Sequence, residues 1–546
     1  MKKQEMQLSA SSSHSAPCKS SSPLLLLLVF VPLILVSLIV VCTPNSVSSS
    51  TTTPSNHLFS LASQRWSTWD NTKTNHIDST DTANSNKTGT NDGEAILLPV
   101  SDMNEDDHEQ QALFNSSTSF IKPSGSSTAN SQQLQATDLT PSTVVGNEDY
   151  TPSTKYEHRY TKLEKIEVGL ARARSLIKGA SRNRSTTENG RDYVPQGAIY
   201  KNAYSFHRSY IEMEKKFKIF VYEEGELPIF HDGPCKSIYS TEGLFIHQME
   251  MNNHFRTKDP DEAHVFFLPF SVVRMVQYLY VPDSHEIKSI GRTVVDYVDV
   301  VARKYPYWNR SNGGDHFMLS CHDWGPRTSS FVPELFNNSI RVLCNANTSE
   351  GFNPSKDASF PEIHLRTAYA TAQLGGLSPS GRSVLAFFAG GLHGHIRYLL
   401  LNQWKNKDQD VLVYDRVPKG VSYDNMMKTS KYCLCPSGYE VASPRIVEAI
   451  YAECVPVLIS DHYVPPFSDV LNWKSFSVQI SVSDIPNIKK ILMGISQSQY
   501  IRMQRRVKQV QKHFVVTNDS PKRFDVFHMT LHSIWLRRLN FRVAGI

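Results

Sequence analysis

Residues 432–461 read YCLCPSGYEVASPRIVEAIYAECVPVLISD, and the reading of this stretch decides the fold. Tyr432-Cys433-Leu434-Cys435 is a short apolar run, stopped by Pro436-Ser437-Gly438. Ser443-Pro444 then supplies a capping hydroxyl followed by the residue best tolerated at the first helical position. Ile446, Val447, Ala449, Ile450 and Ala452 make an apolar helix, and Cys454 to Ile459 a buried strand. The sum is a βαβ unit whose helix begins where the chain is polar and tight. Unpaired N–H groups and the positive end of the helix dipole make such a start favourable to anions. Arg445 stands in the first turn, where a fixed cation braces a diphosphate. Glu440 precedes the helix and Glu448 lies about two turns inside it. That layout suits a nucleoside diphosphate sugar, with one acid near the sugar, one near the ribose hydroxyls, and the phosphates between. The plain alternative is an ordinary βαβ unit with solvated acids.

A second segment repeats the anion-site logic. Val384 to Phe388 is a strand, and Ala389-Gly390-Gly391-Leu392-His393-Gly394-His395-Ile396-Arg397 opens a helix running to about Trp404. Glycines after a strand let backbone approach a phosphate, and Arg397 sits in the new helix. No Gly-Lys-Ser/Thr follows and the spacing is not the dinucleotide fingerprint, so ATP and NAD have little support. A tight turn is the alternative. Further upstream, GDHFMLSCHDW (314–324) is a strand with polar groups at both ends. His322 and Asp323 fall where that strand emerges, which in a parallel sheet faces the cleft. Either would serve as a base for an acceptor hydroxyl. Metal ligation by His316, His322 and Asp323, or loop hydrogen bonding, are the rival readings.

Working outward, apolar runs alternate with helical patterns from about Gly197 to the end, which argues for α/β. FKIFVY (217–222) and VFFLP (265–269) read as strands in a first half, with a helix over Ser289–Lys304. A polar segment over 353–381 interrupts the pattern, and a second series of strands follows it. The expected domains are 197–375 on the acceptor side and 376–546 for the donor, facing a cleft. Before them, Lys2, Lys3 and Lys19 precede an apolar run over 23–42, long enough to cross a bilayer. Positive charge on the short side keeps residues 1–22 cytosolic, so 23–42 reads as a signal anchor and the rest as lumenal. Sequons at Asn86, Asn115, Asn183, Asn309, Asn337, Asn347 and Asn518 agree. Residues 43–155 are rich in Ser, Thr, Asn, Asp and Gln and read as a disordered stem. Within 156–196, Leu163, Ile166, Leu170, Ala173 and Ile177 recur at helical spacing, a stem helix and linker.

The strings CLCPSGYEVASPRIVEAI, FFAGGLHGHIR, CHDWGP and DPDEAHVFFLPF resemble the exostosin family, glycosyltransferase family 47, in its plant branch. YSFHRSYIEMEKKFKIFVYEEGELPIFHDGP and LHSIWLRRLN are similar to the group containing the plant xylogalacturonan xylosyltransferase. The resemblance covers roughly Ala198 to Arg538. It implies a two-Rossmann GT-B fold, an inverting transfer from a nucleotide sugar, and a Golgi membrane location. On this chain the donor residues it implies are Arg397, Ser443, Arg445 and Glu448, with Glu440 beside them and the Gly390–Gly391 loop against the phosphates. The expected function is transfer from a UDP-sugar such as UDP-xylose to a cell-wall polysaccharide, plausibly pectin. Arabinosyl or galactosyl transfer, and a non-catalytic glycan-binding subunit of a synthase, are the alternatives. A glycoside hydrolase lacks a clear carboxylate pair in a non-nucleotide cleft.

Asp259-Pro260-Asp261 and Asp408-Gln409-Asp410 fit the two-Asp pattern of metal-dependent transferases. Both lie in polar turns away from the phosphate loops, so no metal cofactor is expected. Eight cysteines fit an oxidising compartment without dictating pairs, although a Cys433–Cys435 bridge along one strand is geometrically poor. The net charge of +5 is mild, and a basic helix carrying Arg502, Arg505, Arg506, Lys508 and Lys512 reads as a solvated face. The compartment excludes nucleic acid, and self-association or assembly with other transferases is compatible with the chain.

Overall fold

Two parallel sheets carry the molecule, and their central strands are buried on both faces. The computed structural model describes residues 160–183, 193–365, 373–517 and 520–543. The tail, anchor and stem expected over 1–155 lie outside the described residues, as does Asn518. Among the described residues, no helix is long and apolar enough to cross a membrane.

The first sheet holds β1 (Ile219–Val221), β2 (Arg256–Thr257), β3 (Val265–Phe267), β4 (His316–Ser320), β5 (Ile340–Leu343) and β6 (Ala358–Ser359). Their order is β2-β1-β3-β4-β5-β6, every pairing parallel. Successive residues go to opposite faces. Ile219, Val221, Val265, Phe267, Phe317 and Leu319 join one core, while Phe220, Tyr222, Phe266, Leu268 and Met318 join another. Helices cover both sides, so the inner strands β1 and β3 read as unbroken apolar runs, while buried Arg341 in β5 is paired with Asp357.

The second sheet holds β7 (Val384–Ala389), β8 (Val411–Tyr414), β9 (Ser430–Pro436), β10 (Val455–Ile459) and β11 (Val478–Ile480). Its order is β11-β10-β9-β7-β8, again all parallel. The chain winds one way from β7 to β8 and then the other way through β9, so β7 and β9 flank the topological switch point. Ligands of open α/β sheets bind in the crevice beyond the strand ends at such a point.

The C-terminal span differs from its expected boundary. The last helix, Val526–Asn540, returns to the first half, where Arg537 donates to the Asp357 carbonyl at 3.0 Å through Nε. Arg538 donates to the His264 carbonyl at 2.7 Å and pairs with Glu167 at 2.5 Å. Glu167 lies in the helix Lys162–Asn183, whose Leu170 and Ala173 are fully buried, so the predicted stem helix packs on the body. This apolar helix carries no local cue to its partner, and tertiary packing alone assigns it.

Disulfides join Cys321 to Cys344 and Cys433 to Cys454, while Cys435 is a buried thiol. The first ties the end of β4 to the end of β5; the second ties neighbouring strands of the other sheet. Asn309 and Asn337 are exposed, whereas Asn347 is buried and its side chain accepts from the Ser349 N–H at 3.1 Å. That sequon is therefore closed to a bulky modification in the folded chain.

Candidate active site

The C-terminal ends of β4, β5, β6, β7 and β9 converge on one cleft between the sheets. On the second sheet, the loop after β7 meets the loop after β9 at van der Waals distance. Gly394 has φ +88°, and a Cβ there would lie 2.2 Å from the Gly438 carbonyl oxygen, so only glycine allows the approach. Gly390 has a different reason: its Cβ would fall 2.7 Å from Arg445 Nη2. The glycine loop thus makes room for the arginine.

Arg445 opens the helix Arg445–Tyr451, but its guanidinium turns back under the loop after β7. It donates to the Ala389 carbonyl at 3.0 Å, and its guanidinium carbon lies 4.6 Å from the Phe388 ring centroid. Ser443 Oγ accepts from the Arg445 N–H at 3.4 Å and sits 3.5 Å from its Nη1. The helix starts one residue later than the sequence predicts, with Pro444 at the cap. Ser443 therefore braces Arg445 rather than capping a longer helix, and the seven-residue length leaves the cations as the main anion determinants. Arg397, in the helix His395–Trp404, lies within 3.2 Å of where a Gly438 Cβ would be. Burial, and then the like charge of Arg445, lowers Arg397 to about 10. Both arginines bury an Nε that has no partner among the described residues. Two desolvated cations with orphaned donors form a site that an anion would satisfy. Glu448, on the same helix as Arg445, accepts from the Tyr423 hydroxyl at 2.9 Å and lies 3.9 Å from His364 Nδ1.

The first sheet supplies the opposite wall. Glu242, fully buried, accepts the Cys321 N–H at 2.7 Å and the Ser271 hydroxyl at 2.5 Å. That carboxyl and the Cys321–Cys344 bridge hold the turn that presents His322 and Asp323. His322 Nδ1 accepts the Trp324 N–H at 3.0 Å, and burial lowers the ring to about 4. The neutral ring then carries its proton on Nε2 and keeps no free lone pair. His316 lies at the far end of β4 with Asp315 at 2.8 Å and Tyr222 at 2.8 Å, so the three candidate metal ligands are not assembled. Asp323 Oδ1 accepts from the Tyr239 hydroxyl at 3.0 Å, and burial raises its carboxyl.

Glu440 faces this wall. Asn345, just past β5, donates to Glu440 Oε2 at 2.5 Å and to Glu350 Oε2 at 3.2 Å, closing a polar bridge between the halves. Burial, followed by the charges of Glu350 and Asp323, pushes Glu440 up to about 8. Asn345 Oδ1 is itself buried without a partner among the described residues. The structure thus brings Gly390, Arg397, Glu440, Ser443, Arg445 and Glu448 around the crevice, with His322 and Asp323 across from them; Gly391 lies against the His393 ring. Sequence reasoning missed Tyr239, Glu242, Asn345, Glu362 and Tyr423. Their only common signal is a position just past a strand end or in a helix facing one.

Comparisons with known proteins place the chain in a family. The exostosin GT47 domain profile matches residues 213–495. A "Probable glycosyltransferase" of Arabidopsis thaliana is 61% identical over 386 residues, covering 71% of this chain and 74% of that protein. A "Probable glucuronosyltransferase" of Oryza sativa subsp. japonica is 28% identical over 352 residues, covering 58% of this chain and 80% of that protein. Among solved structures, a glycosyltransferase from Rickettsia africae covers 58% of this chain and 96% of its own at 7% identity, with a TM-score of 0.27 that carries no argument. On the profile and the Arabidopsis relative, the chain belongs to the exostosin GT47 family and is a glycosyltransferase, working on a nucleotide-sugar donor and a glycan acceptor.

Proposed function

We propose that this enzyme is an inverting GT-B glycosyltransferase of the Golgi, a single-pass type II membrane protein. It transfers a sugar from a UDP-sugar to a cell-wall polysaccharide, with pectin as the first acceptor to try. The observation that carries the donor site is buried Arg445 beside half-buried Arg397, each with a buried, orphaned Nε atom, at the switch point of the second sheet. A diphosphate would satisfy both and relieve their mutual repulsion. Glu448 faces the ribose hydroxyls in this reading, and Glu440 the sugar.

Asp323 is the proposed base. One of its oxygens is held by Tyr239, and its raised proton affinity suits removal of a hydroxyl proton. His322 orients the turn, because its lone pair is committed to the Trp324 N–H. Asp323 takes the acceptor proton as that oxygen attacks the anomeric carbon from the face opposite the leaving group. The bond to the diphosphate breaks, and Arg397 and Arg445 meet the charge that develops on it. No metal takes part in this proposal, because each two-Asp sequence is already engaged by a lysine: Lys162 lies 2.8 Å from Asp259, and Lys489 lies 2.8 Å from both Asp408 and Asp410.

UDP-xylose is the first donor to test, with arabinosyl and galactosyl donors next; the name of the rice relative adds a glucuronosyl donor. Incubating the protein with each UDP-sugar and wall oligosaccharides, and following UDP release and glycan mass, is the decisive experiment. Release of UDP dependent on both donor and acceptor is the expected result. An inert Arg397→Ala, Arg445→Ala double variant should accompany it.

A further inference from the structure

The arginines account for a diphosphate, but nothing so far accounts for Glu362. It lies just past β6, is 7% exposed, and makes no hydrogen bond among the described residues. Burial raises its carboxyl well above the usual range, and Asp323, Glu448 and Glu440 add to that while Arg397 opposes it. Glu350 extends the set by acting on Glu440. Its neighbour Ile363 pairs with Tyr239, whose hydroxyl bonds Asp323, and His364, two residues on, lies 3.9 Å from Glu448, so Glu362 stands between the proposed base and the donor-side helix, where the sugar of a donor must lie. A neutral carboxyl offers one O–H donor and spare acceptor capacity, the same complement as a sugar hydroxyl. Orphaned Asn345 Oδ1, buried on the same wall as Glu440, adds a second acceptor for hydroxyls.

We propose that Glu362 binds hydroxyls of the transferred sugar and that its pocket selects a neutral sugar over a uronic acid. The inference rests on the donor-site reading above. A uronate would bring one more carboxylate into a place already crowded by Asp323, Glu350, Glu440 and Glu448. The surroundings drive the carboxyls of Asp323, Glu350 and Glu440 toward the neutral form, and an incoming carboxylate meets the same potential. The diphosphate occupies Arg397 and Arg445, and His364 is beside Glu448. His322 is held neutral by burial. A hydroxyl-only sugar carries no such penalty and satisfies the orphaned groups.

The test titrates the full chain with UDP, UDP-xylose, UDP-galactose and UDP-glucuronic acid by calorimetry. UDP should bind, and at least one neutral UDP-sugar should bind about tenfold or more tighter than UDP-glucuronic acid. Glu362→Ala should weaken the preferred neutral UDP-sugar about tenfold while leaving UDP unchanged, and Glu362→Gln, which keeps a donor and an acceptor, should restore most of the loss. UDP-glucuronic acid binding as tightly as the neutral sugars would overturn the selection. Equal loss of UDP and UDP-sugar in both variants, or no loss in either, would overturn the role of Glu362. Failure of the wild-type chain to bind UDP would instead sink the donor-site reading, and this inference with it.

Discussion

Two sets of carboxylates in this chain look alike in sequence and differ completely in the fold. Asp259 with Asp261, and Asp408 with Asp410, sit in surface turns where a lysine neutralises each pair. Their hydrogen-bonded lysines hold Asp259 and Asp408 below the usual carboxylate range. Asp323, Glu350, Glu362 and Glu440 line the cleft, and burial raises every one of them. The surface pairs are solved electrostatic problems. The cleft acids are raised rather than neutralised, and the two arginines across from them and Asn345 keep buried atoms without partners among the described residues, a state a molecule tolerates chiefly where a ligand completes it.

The sharpest way to break this comparison is Asp323→Asn. It removes the proposed base from the raised cleft acids, and turnover should fall by ~10²–10⁴ while UDP affinity holds. Wild-type turnover in a folded variant would move the base elsewhere in the cleft. Arg445→Ala comes next. A lost charge-assisted contact is worth roughly 1.5–3 kcal/mol, on the order of ten- to a hundredfold in kcat/KM. Because Arg445 also bonds the Ala389 carbonyl, thermal melting must accompany the kinetics, and a loss of rate confined to unfolded protein would reject its role at the phosphates.

A smaller effect sharpens the electrostatics. Asp323 adds to the rise of Glu440, and Glu440 is still neutral where Asp323 ionises, so Glu440→Gln should leave the acidic limb of the kcat/KM profile in place. The linkage has a definite sign. Glu440 is raised from 4.5 to about 8, so its contribution to stability is fully present at low pH and is lost as pH rises through that window. Melting curves of Glu440→Gln should therefore decline less between pH 5 and 8 than those of the wild type, a range bounded by the two values of this group. The smallest effect belongs to the surface pairs. Asp259→Ala and Asp408→Ala should leave kcat/KM and donor affinity near wild type, and EDTA should leave the rate intact. Loss of activity in EDTA with recovery on adding manganese would overturn the metal-free proposal and the contrast with it.

Much of the donor half was legible because its signals are local. The run Val384–Ala389, the glycines after it, and the Ser443-Pro444-Arg445 sequence each carry their meaning within a few residues, and the strand and helix boundaries follow within about two residues. The cap was misjudged by one residue because Ser443 is drawn to the Arg445 N–H instead of to a longer helix. The acceptor half was less legible. Asn345 and Glu362 sit in LCNAN and FPEIH, strings with no periodicity and no motif, and Glu242 lies in a helix buried nearly all round, with no amphipathic stripe to mark it. The pairing Cys321–Cys344 joins the ends of two strands adjacent in the sheet but 23 residues apart in the chain, a neighbourhood no spacing rule reveals.

By itself the sequence determined the alternation of apolar runs and helices, the split into two α/β halves, the position of the glycine loops, and the family to which the chain belongs. Those properties depend on residue size, polarity and backbone freedom at neighbouring positions, all of which are written along the chain. Tertiary structure alone decided which carboxylates are neutralised and which are stranded, where the last helix packs, and that Arg397, Arg445, Glu362 and Asp323 share one cleft. Electrostatics is set by distance and desolvation, and residues more than a hundred positions apart acquire both only when two sheets close on each other.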